Sequence, residues 1–505
     1  LLARKDAPKV LIALLLTAVV IASGCLSSPD QEGTGDSIFT SAMGEYREAN
    51  YRNASTLFKD ASQAYSLEGE ETKAIRATNW KIICQRMTME FPYTRGEAEV
   101  LLEEAFPNIS KETRDGWLDS DRIEKIVSDG EVLYFQSIVD NICYRNLTLI
   151  REKTAEMGHT PIFDSPAIRD IVWNDTQEDQ GPYLNPIEFN GSGGLSVPGD
   201  QLPDHGTLQM WIPHPIMTSS QANVSVVSIE PQEYVVEGAD VHADLGLAYL
   251  EIPLEEIQGD IEVSIDFKFT EYQRSFKIDP EDVGEYDRES PEYITYTKSS
   301  PNIVVTPEIS DLARSIVGGE KNPYLQTQMI YWYIVNNMRY SFMPHLYLST
   351  AHIPESQYVH ERGYGDCGAQ SAYFCALLRS LGIPARDTGG WHLVPGIAAS
   401  HYWAEFLIPG YGWIPADVTM AEIADWSFDA TEEERTTFKE FYFCNLDPYR
   451  YVIQKDVDIP MHPEPGDFIL FIMAHKGASG VCLTSTEDVE LIMYEYWDFD
   501  INPVV

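Results

Sequence analysis

At 505 residues the chain is too long for one ordinary hydrophobic core, so about two to four domains are expected. An apolar content of 44%, with 20 Phe, 28 Tyr and 10 Trp, excludes a largely disordered chain. The net charge of −44 argues against a nucleic-acid partner, because neutralising phosphates needs a basic face; it fits a solvated surface, including one in a salty medium.

Arg4, Lys5 and Lys9 precede an apolar run from Val10 to Ala22, closed by Ser23-Gly24-Cys25. The run is shorter than the roughly 20 residues of a membrane span, so residues 1–24 read as an export signal. Ala22-Ser23-Gly24-Cys25 resembles a lipobox, which implies a lipid on Cys25 that holds the chain at the outer face of the cytoplasmic membrane. A plain signal peptide or an uncleaved anchor are the alternatives. Residues 25–40, rich in Ser, Gly, Asp and Glu, read as a tether. Sequons begin at Asn53, Asn108, Asn146, Asn174, Asn190 and Asn223 and give export only weak support. Cys84, Cys143, Cys367, Cys375, Cys444 and Cys482 are widely spaced with no C-x-x-C, so no zinc site or other metal is expected. An exported chain can pair some of them; Cys367 is expected to stay free.

Residues 41–158 read as helical. Tyr51, Ala54, Leu57, Phe58, Ala61 and Tyr65 recur at three- and four-residue steps, as in one tetratricopeptide-type unit, and no second unit is clear. A helical hairpin or small bundle is expected. Residues 159–199, poor in periodicity and rich in Pro, Gly, Asn and Asp, read as a connector. Across residues 200–275 the period becomes two, at Leu208–Pro213, Val224–Ile229, Leu245–Ile252 and Ile261–Phe269, which predicts an antiparallel β-sandwich. Residues 276–300 read as an acidic linker; Asp279 to Glu292 carries seven Asp or Glu without the spacing of a calcium loop.

Residues 301–455 hold the chemistry, and 456–505 read as a C-terminal β extension. Helices are predicted at Glu308–Val317 and Pro323–Asn337, and Met338–Phe342 reads as a strand or turn. Gly365-Asp366 turns the chain so that Cys367 opens a helix over Gly368–Leu381, which Gly382-Ile383-Pro384 ends. A helix start favours a thiolate, through its partial positive charge and free N–H groups. His401 to Ile408 alternates as a strand, Pro409-Gly410-Tyr411-Gly412 turns, and Trp413 to Asp417 returns. Folding about the Gly410–Tyr411 bond brings Asp417 within about three positions of opposite His401. The order is a nucleophile, a base and a group that orients the base. The backbone N–H of Cys367 is placed to meet an oxyanion, with Tyr340 and Trp332 as candidates for a second donor. His392 is a rival base; His352 and His360 lack further ligands at metal spacing. Asp366 reads as a helix cap, Cys375 as core, Glu405 and Arg386 as structural residues paired with charges in the core, and Trp403 and Trp413 as sheet packing. Phe441–Phe443, Tyr451–Ile453, Phe468–Ile472 and Glu490–Tyr494 read as strands of a C-terminal sheet.

Gly365-Asp366-Cys367, Gly382-Ile383-Pro384-Ala385-Arg386, His401-x-Trp403-x-Glu405 and Gly412-Trp413 followed by Asp417 resemble the transglutaminase-like superfamily. The resemblance extends to Met210–Pro215 and Phe441–Arg450, with Cys444 where glycine is common. It implies a papain-like fold, a helix packed on an antiparallel sheet, with a Cys367–His401–Asp417 triad and no cofactor. The expected whole is an α+β multidomain chain: helical region, β-sandwich, then catalytic core. The expected activity is cleavage of peptide or isopeptide amides in surface proteins through a thioester. Cross-linking or deamidation is the enzymatic alternative, and an inert binding module the non-enzymatic one.

Overall fold

A computed structural model describes residues 34–174, 181–202, 204–464, 481–484 and 498–504. The expected export signal, Cys25 and the strands at Phe468–Ile472 and Glu490–Tyr494 lie outside the described residues. Among the described residues no helix is long and apolar enough to cross a membrane.

The N-terminal region is mainly helical. Helices Thr34–Arg47, Tyr51–Glu68 and Glu71–Met89 pack first on second and second on third. Ala54, Phe58, Ala61 and Tyr65 are the buried stripe of the second helix. Phe58 is held between the rings of Phe39 and Trp80, with centroids 5.2 and 5.7 Å away. The first helix begins at Thr34, inside the segment read as a tether. A hairpin, Lys125–Ser128 with Glu131–Tyr134, interrupts the stretch read as all helix. Its turn is Asp129-Gly130, with φ of 51° and 76°, the left-handed pair that a tight hairpin requires.

The segment read as a connector contains helix Pro166–Asn174 and the long strand Tyr183–Val197. That strand pairs with Ile261–Ser275 and, on its other edge, with Asp498–Pro503. The cause of the misreading is steric. Gly191 and Gly193 share the buried face with Leu195 and Val197. A Cβ on Gly191 would fall 2.3 Å from the Phe267 ring, and one on Gly193 2.8 Å from Phe499. Aromatic rings of neighbouring strands fill positions where this strand has no side chain, so the apolar alternation is lost from its own sequence. A second sheet is centred on Thr207–Pro213, flanked by Leu247–Pro253 and Val481–Thr484. Both sheets feed one core that includes Met210, Leu250, Ile265 and Phe267. The described strands beyond residue 456 therefore join upstream sheets and form no extension of their own.

The C-terminal region is mixed α/β. Its sheet has the order Gly412–Ala416, Ala399–Ile408, Ala385–His392, Arg450–Gln454, all antiparallel. Helix Cys367–Ser380 packs on the two central strands. Every residue from Gly368 to Arg379 is buried, because helices Pro307–Val317, Pro323–Asn337 and Glu355–Arg362 cover the face away from the sheet. Phe441 ends a helix, Glu432–Phe441, instead of opening a strand; Thr431 and Glu434 form its capping box. The acidic segment 276–300 is docked by its tyrosines. The Tyr286 hydroxyl donates to the Leu407 carbonyl at 2.7 Å, and Tyr296 meets Trp413 edge-on at 5.0 Å.

Candidate active site

The turn before the helix is built for close approach. Tyr364–Gly365 runs parallel to Arg339–Tyr340, and a Cβ on Gly365 would sit 2.7 Å from Val359. Asp366 is the helix N-cap, its carboxylate accepting from the Ala369 N–H at 3.1 Å. Cys367 is the first helical residue and is partly exposed. The first helical hydrogen bond runs from Gln370 N–H to the Asp366 carbonyl, so the helix ladder takes no N–H from Cys367 or Gly368.

The hairpin brings the second and third residues together. Its register pairs Ala404 with Ala416 and Ile408 with Gly412, so the turn centres on Gly410. That is half a residue from the expected pivot, and the difference decides which face Asp417 uses. Asp417 follows Ala416 opposite Trp403, on the face that Trp403 shares with His401. His401 Nε2 lies 2.8 Å from Asp417 Oδ2. Asp417 also caps the next helix, Val418–Ile423, accepting from Met420 N–H at 3.0 Å.

A buried arginine extends this pair. Arg450 Nη1 donates to Asp417 Oδ2 at 2.7 Å, and its Nη2 donates to Asp447 Oδ2 at 2.7 Å. Asp447 Oδ1 in turn lies 3.1 Å from His392 Nε2. Two His–Asp pairs are thus joined through one guanidinium, with the imidazole rings 5.5 Å apart. Each ring commits Nε2 to a carboxylate, which leaves Nδ1 as its second nitrogen. Two carboxylates against one guanidinium leave one net negative charge, enough to balance a single imidazolium. Burial pushes His392 down to about 4, and Arg450 and His401 act in the same sense against Asp447, so His392 is neutral near pH 7. Burial raises the Asp417 carboxyl, but His401 and Arg450 outweigh it and hold Asp417 well below the usual carboxylate range.

Cys367, His401, His392 and Tyr340 line one cavity of about 350 Å³. Burial and the neighbouring Asp366 carboxylate push the Cys367 thiol well above its ordinary value. A backbone hydrogen bond from Tyr402 opposes them, and Asp417 and Asp387 add to the rise. This reverses the thiolate expected from the helix start. The carboxylates that act on the sulfur come from separate strands and turns, and together with desolvation they oppose the pull of the helix end. Asp366 itself is held by His345, whose Nε2 lies 2.5 Å away while its Nδ1 meets Glu355 at 2.8 Å. Burial disfavours the charged ring, but the two carboxylates win and raise His345 well above its ordinary value.

Tyr340 lines the cavity, and burial with the nearby Cys367 keeps its phenol protonated far into the alkaline range. Trp332 packs against Tyr331, and neither it nor His352 nor His360 lines the cavity. The His360 ring bonds the Tyr373 hydroxyl at 3.0 Å. Glu405 pairs with Arg386 at 2.8 Å and with Arg274, as a buried core network. Among the described cysteines Cys84, Cys143, Cys367, Cys375 and Cys444 are free thiols. Sequence reasoning missed Asp447 and Arg450, whose only signal was their place in the Phe441–Arg450 segment. It also missed the cavity wall made by the N-terminal region, for which no local signal exists.

The His392 assignment has a pH consequence. An unfolded histidine takes a proton near pH 6.5, whereas the folded one resists until about pH 4. Between these values the unfolded state binds more protons, so stability falls as pH drops from 6.5 to 4. His392→Gln removes this contribution. The wild type is expected to lose about 3 kcal/mol relative to the variant over that window, measured by urea unfolding at each pH.

Residues 310–418 match the model of the transglutaminase-like superfamily. The chain carries a transglutaminase-like domain. The match ends one residue past Asp417 and so takes in Cys367, His401 and Asp417, while Asp447 and Arg450 lie beyond it. An uncharacterized protein of Haemophilus influenzae is 24% identical over 197 residues, covering 34% of this chain and 52% of that protein. The chain thus spans about half the length of that curated relative. Among solved structures, a candidate cysteine protease from Cytophaga hutchinsonii is similar with a TM-score of 0.40 and 16% identity, over 64% of this chain and 92% of that one. The periplasmic domain of TgpA from Pseudomonas aeruginosa gives 0.24 and 12%, over 52% of this chain and 99% of that one.

Proposed function

We propose that the chain is a cysteine-dependent acyl-transfer enzyme that hydrolyses peptide or isopeptide amides. The observation that carries this reading is the His401–Asp417 pair in one cavity with the helix-start Cys367. In the resting site the thiol is protonated. As the substrate carbonyl approaches, His401 Nδ1 takes the thiol proton and the sulfur bonds to the carbonyl carbon. Asp417 stabilises the imidazolium, and Arg450 fixes Asp417. The oxyanion meets the Cys367 N–H and the Tyr340 hydroxyl. His401 returns the proton to the leaving amine as the C–N bond breaks, giving a thioester. Water then attacks, His401 accepts its proton, and that proton goes to the departing sulfur.

Hydrolysis is separated from cross-linking by supplying a peptide substrate with excess primary amine. Free acid is expected as the main product; predominant amine incorporation would make the protein a transamidase. If cellular function survived Cys367→Ala unchanged, the domain would be a binding module. Action at the cell surface from a lipid on Cys25 is part of the proposal, supported by the residues from Arg4 to Cys25. Cys25→Ala is expected to release the protein from the membrane fraction.

A further inference from the structure

The N-terminal helical region does more than precede the transglutaminase-like domain: it builds one wall of the cavity that holds Cys367. Tyr144, Ile150, Met157 and Ile162 line that cavity together with Met420 and Ile423. The wall is fastened in place. Arg151 Nε donates to the Asp425 carbonyl at 2.8 Å, and the Thr154 hydroxyl donates to the Trp426 carbonyl at 2.8 Å. The Tyr144 ring lies 4.9 Å from that of Trp426. Asn141 and Phe342 exchange two further bonds, at 3.0 and 2.8 Å. These bonds make it a fixed part of the site.

One wall residue is held against its preference. Ile162 has φ of 68°, a left-handed conformation that a β-branched side chain rarely adopts. Backbone outliers of this kind cluster where a side chain must be aimed for function. The cation at this wall, Lys153, pairs with Asp140 at 3.2 Å, which offsets its charge. A surface of Ile, Met and aromatic side chains has little to offer a charged group and gains from covering an apolar one.

We propose that this wall gives the enzyme its substrate class: acyl donors that place a large apolar side chain, aromatic or long aliphatic, between the helical region and the Met420–Ile423 helix. The inference rests on the acyl-transfer reading, and the test separates the two. Full-length protein is mixed with 4-nitrophenyl acetate or 4-nitrophenyl 3-phenylpropionate. Cys367 sulfur bonds to the acyl carbon, the carbon–oxygen bond to 4-nitrophenolate breaks, and the thiol proton leaves by way of His401 to solvent. Phenolate release and the mass added at Cys367 are followed together.

The phenylpropionyl ester is expected to acylate Cys367 about 10- to 100-fold faster than the acetyl ester, the range that added apolar contact supplies in a fitted pocket. Met157→Glu, at a half-exposed position, and Ile162→Gly, which also relieves the backbone, are each expected to cut that ratio at least threefold. Far-UV circular dichroism confirms that both variants are folded. Equal rates for the two esters at Cys367, or a ratio unmoved by both substitutions, would overturn the inference while leaving the acyl-transfer reading intact. No Cys367-dependent acylation by either ester would remove both.

Discussion

Replacement of Cys367 by alanine is expected to abolish acyl-enzyme formation entirely, with the fold unchanged. Cys367 is partly exposed at a helix start whose cap, Asp366, is its neighbour, so losing the sulfur removes chemistry and little packing. His401→Ala is expected to slow acylation by about 100- to 10,000-fold, the usual contribution of a positioned base. The elevated thiol makes the dependence on His401 stronger. A preformed thiolate would survive loss of the imidazole in part, whereas a protonated thiol beside Asp366 needs a base, and His392 is the other imidazole lining the cavity. His392 has its own carboxylate and is pushed down to about 4, so it is a weak base near neutrality. His401→Ala therefore retains far more folding stability than activity. Stopped-flow phenolate release with an activated ester checks both variants.

The largest stability effect is expected at Arg450. Its guanidinium and the carboxylates of Asp417 and Asp447 have no exposed side-chain surface. Arg450→Met keeps much of the volume but takes from two buried carboxylates the cation they share, leaving them the imidazoles, the Met420 and Tyr449 N–H groups and the Thr419 and Tyr442 hydroxyls. Breaking one side of a buried ion network costs about 3–5 kcal/mol. That is a large part of the about 5–15 kcal/mol that holds a typical domain. The expected outcome is a melting temperature lower by roughly 10 °C or more, or failure to accumulate as soluble protein. Arg450→Lys is not expected to rescue it, because an ammonium cannot span both carboxylates in a planar fork. Adding Asp447→Asn to Arg450→Met removes one of the stranded charges and is expected to recover part of the loss. A double variant no more stable than the single one would show that the network matters through shape alone.

The sequence was most informative where the site is built from local order. Cys367 precedes its helix by chemistry that turn residues announce, and His401 and Asp417 sit on two arms of one short hairpin. Even there the pivot was half a residue out, which matters because side chains alternate faces at every position. What stayed hidden depends on residues far apart in the chain. The strand Tyr183–Val197 reads as a connector because Phe267 and Phe499, from other strands, occupy the space above its glycines. The thiol is raised first by burial and then by Asp366, Asp417 and Asp387, gathered by a turn, a hairpin and a strand. Arg450 is 33 residues from Asp417, and Thr154 is 272 residues from Trp426. A helix that closes a cleft in another part of the chain has an ordinary amphipathic pattern, and nothing in that pattern names the surface it will meet.

In the proposed mechanism Cys367 forms a covalent acyl intermediate with the help of His401. Intact-protein mass spectrometry after rapid mixing with an activated ester tests it most directly. One acyl adduct per chain is expected, mapped to Cys367, absent in Cys367→Ala and strongly slowed in His401→Ala. An adduct that forms equally well without His401, or that maps to another cysteine, would contradict it.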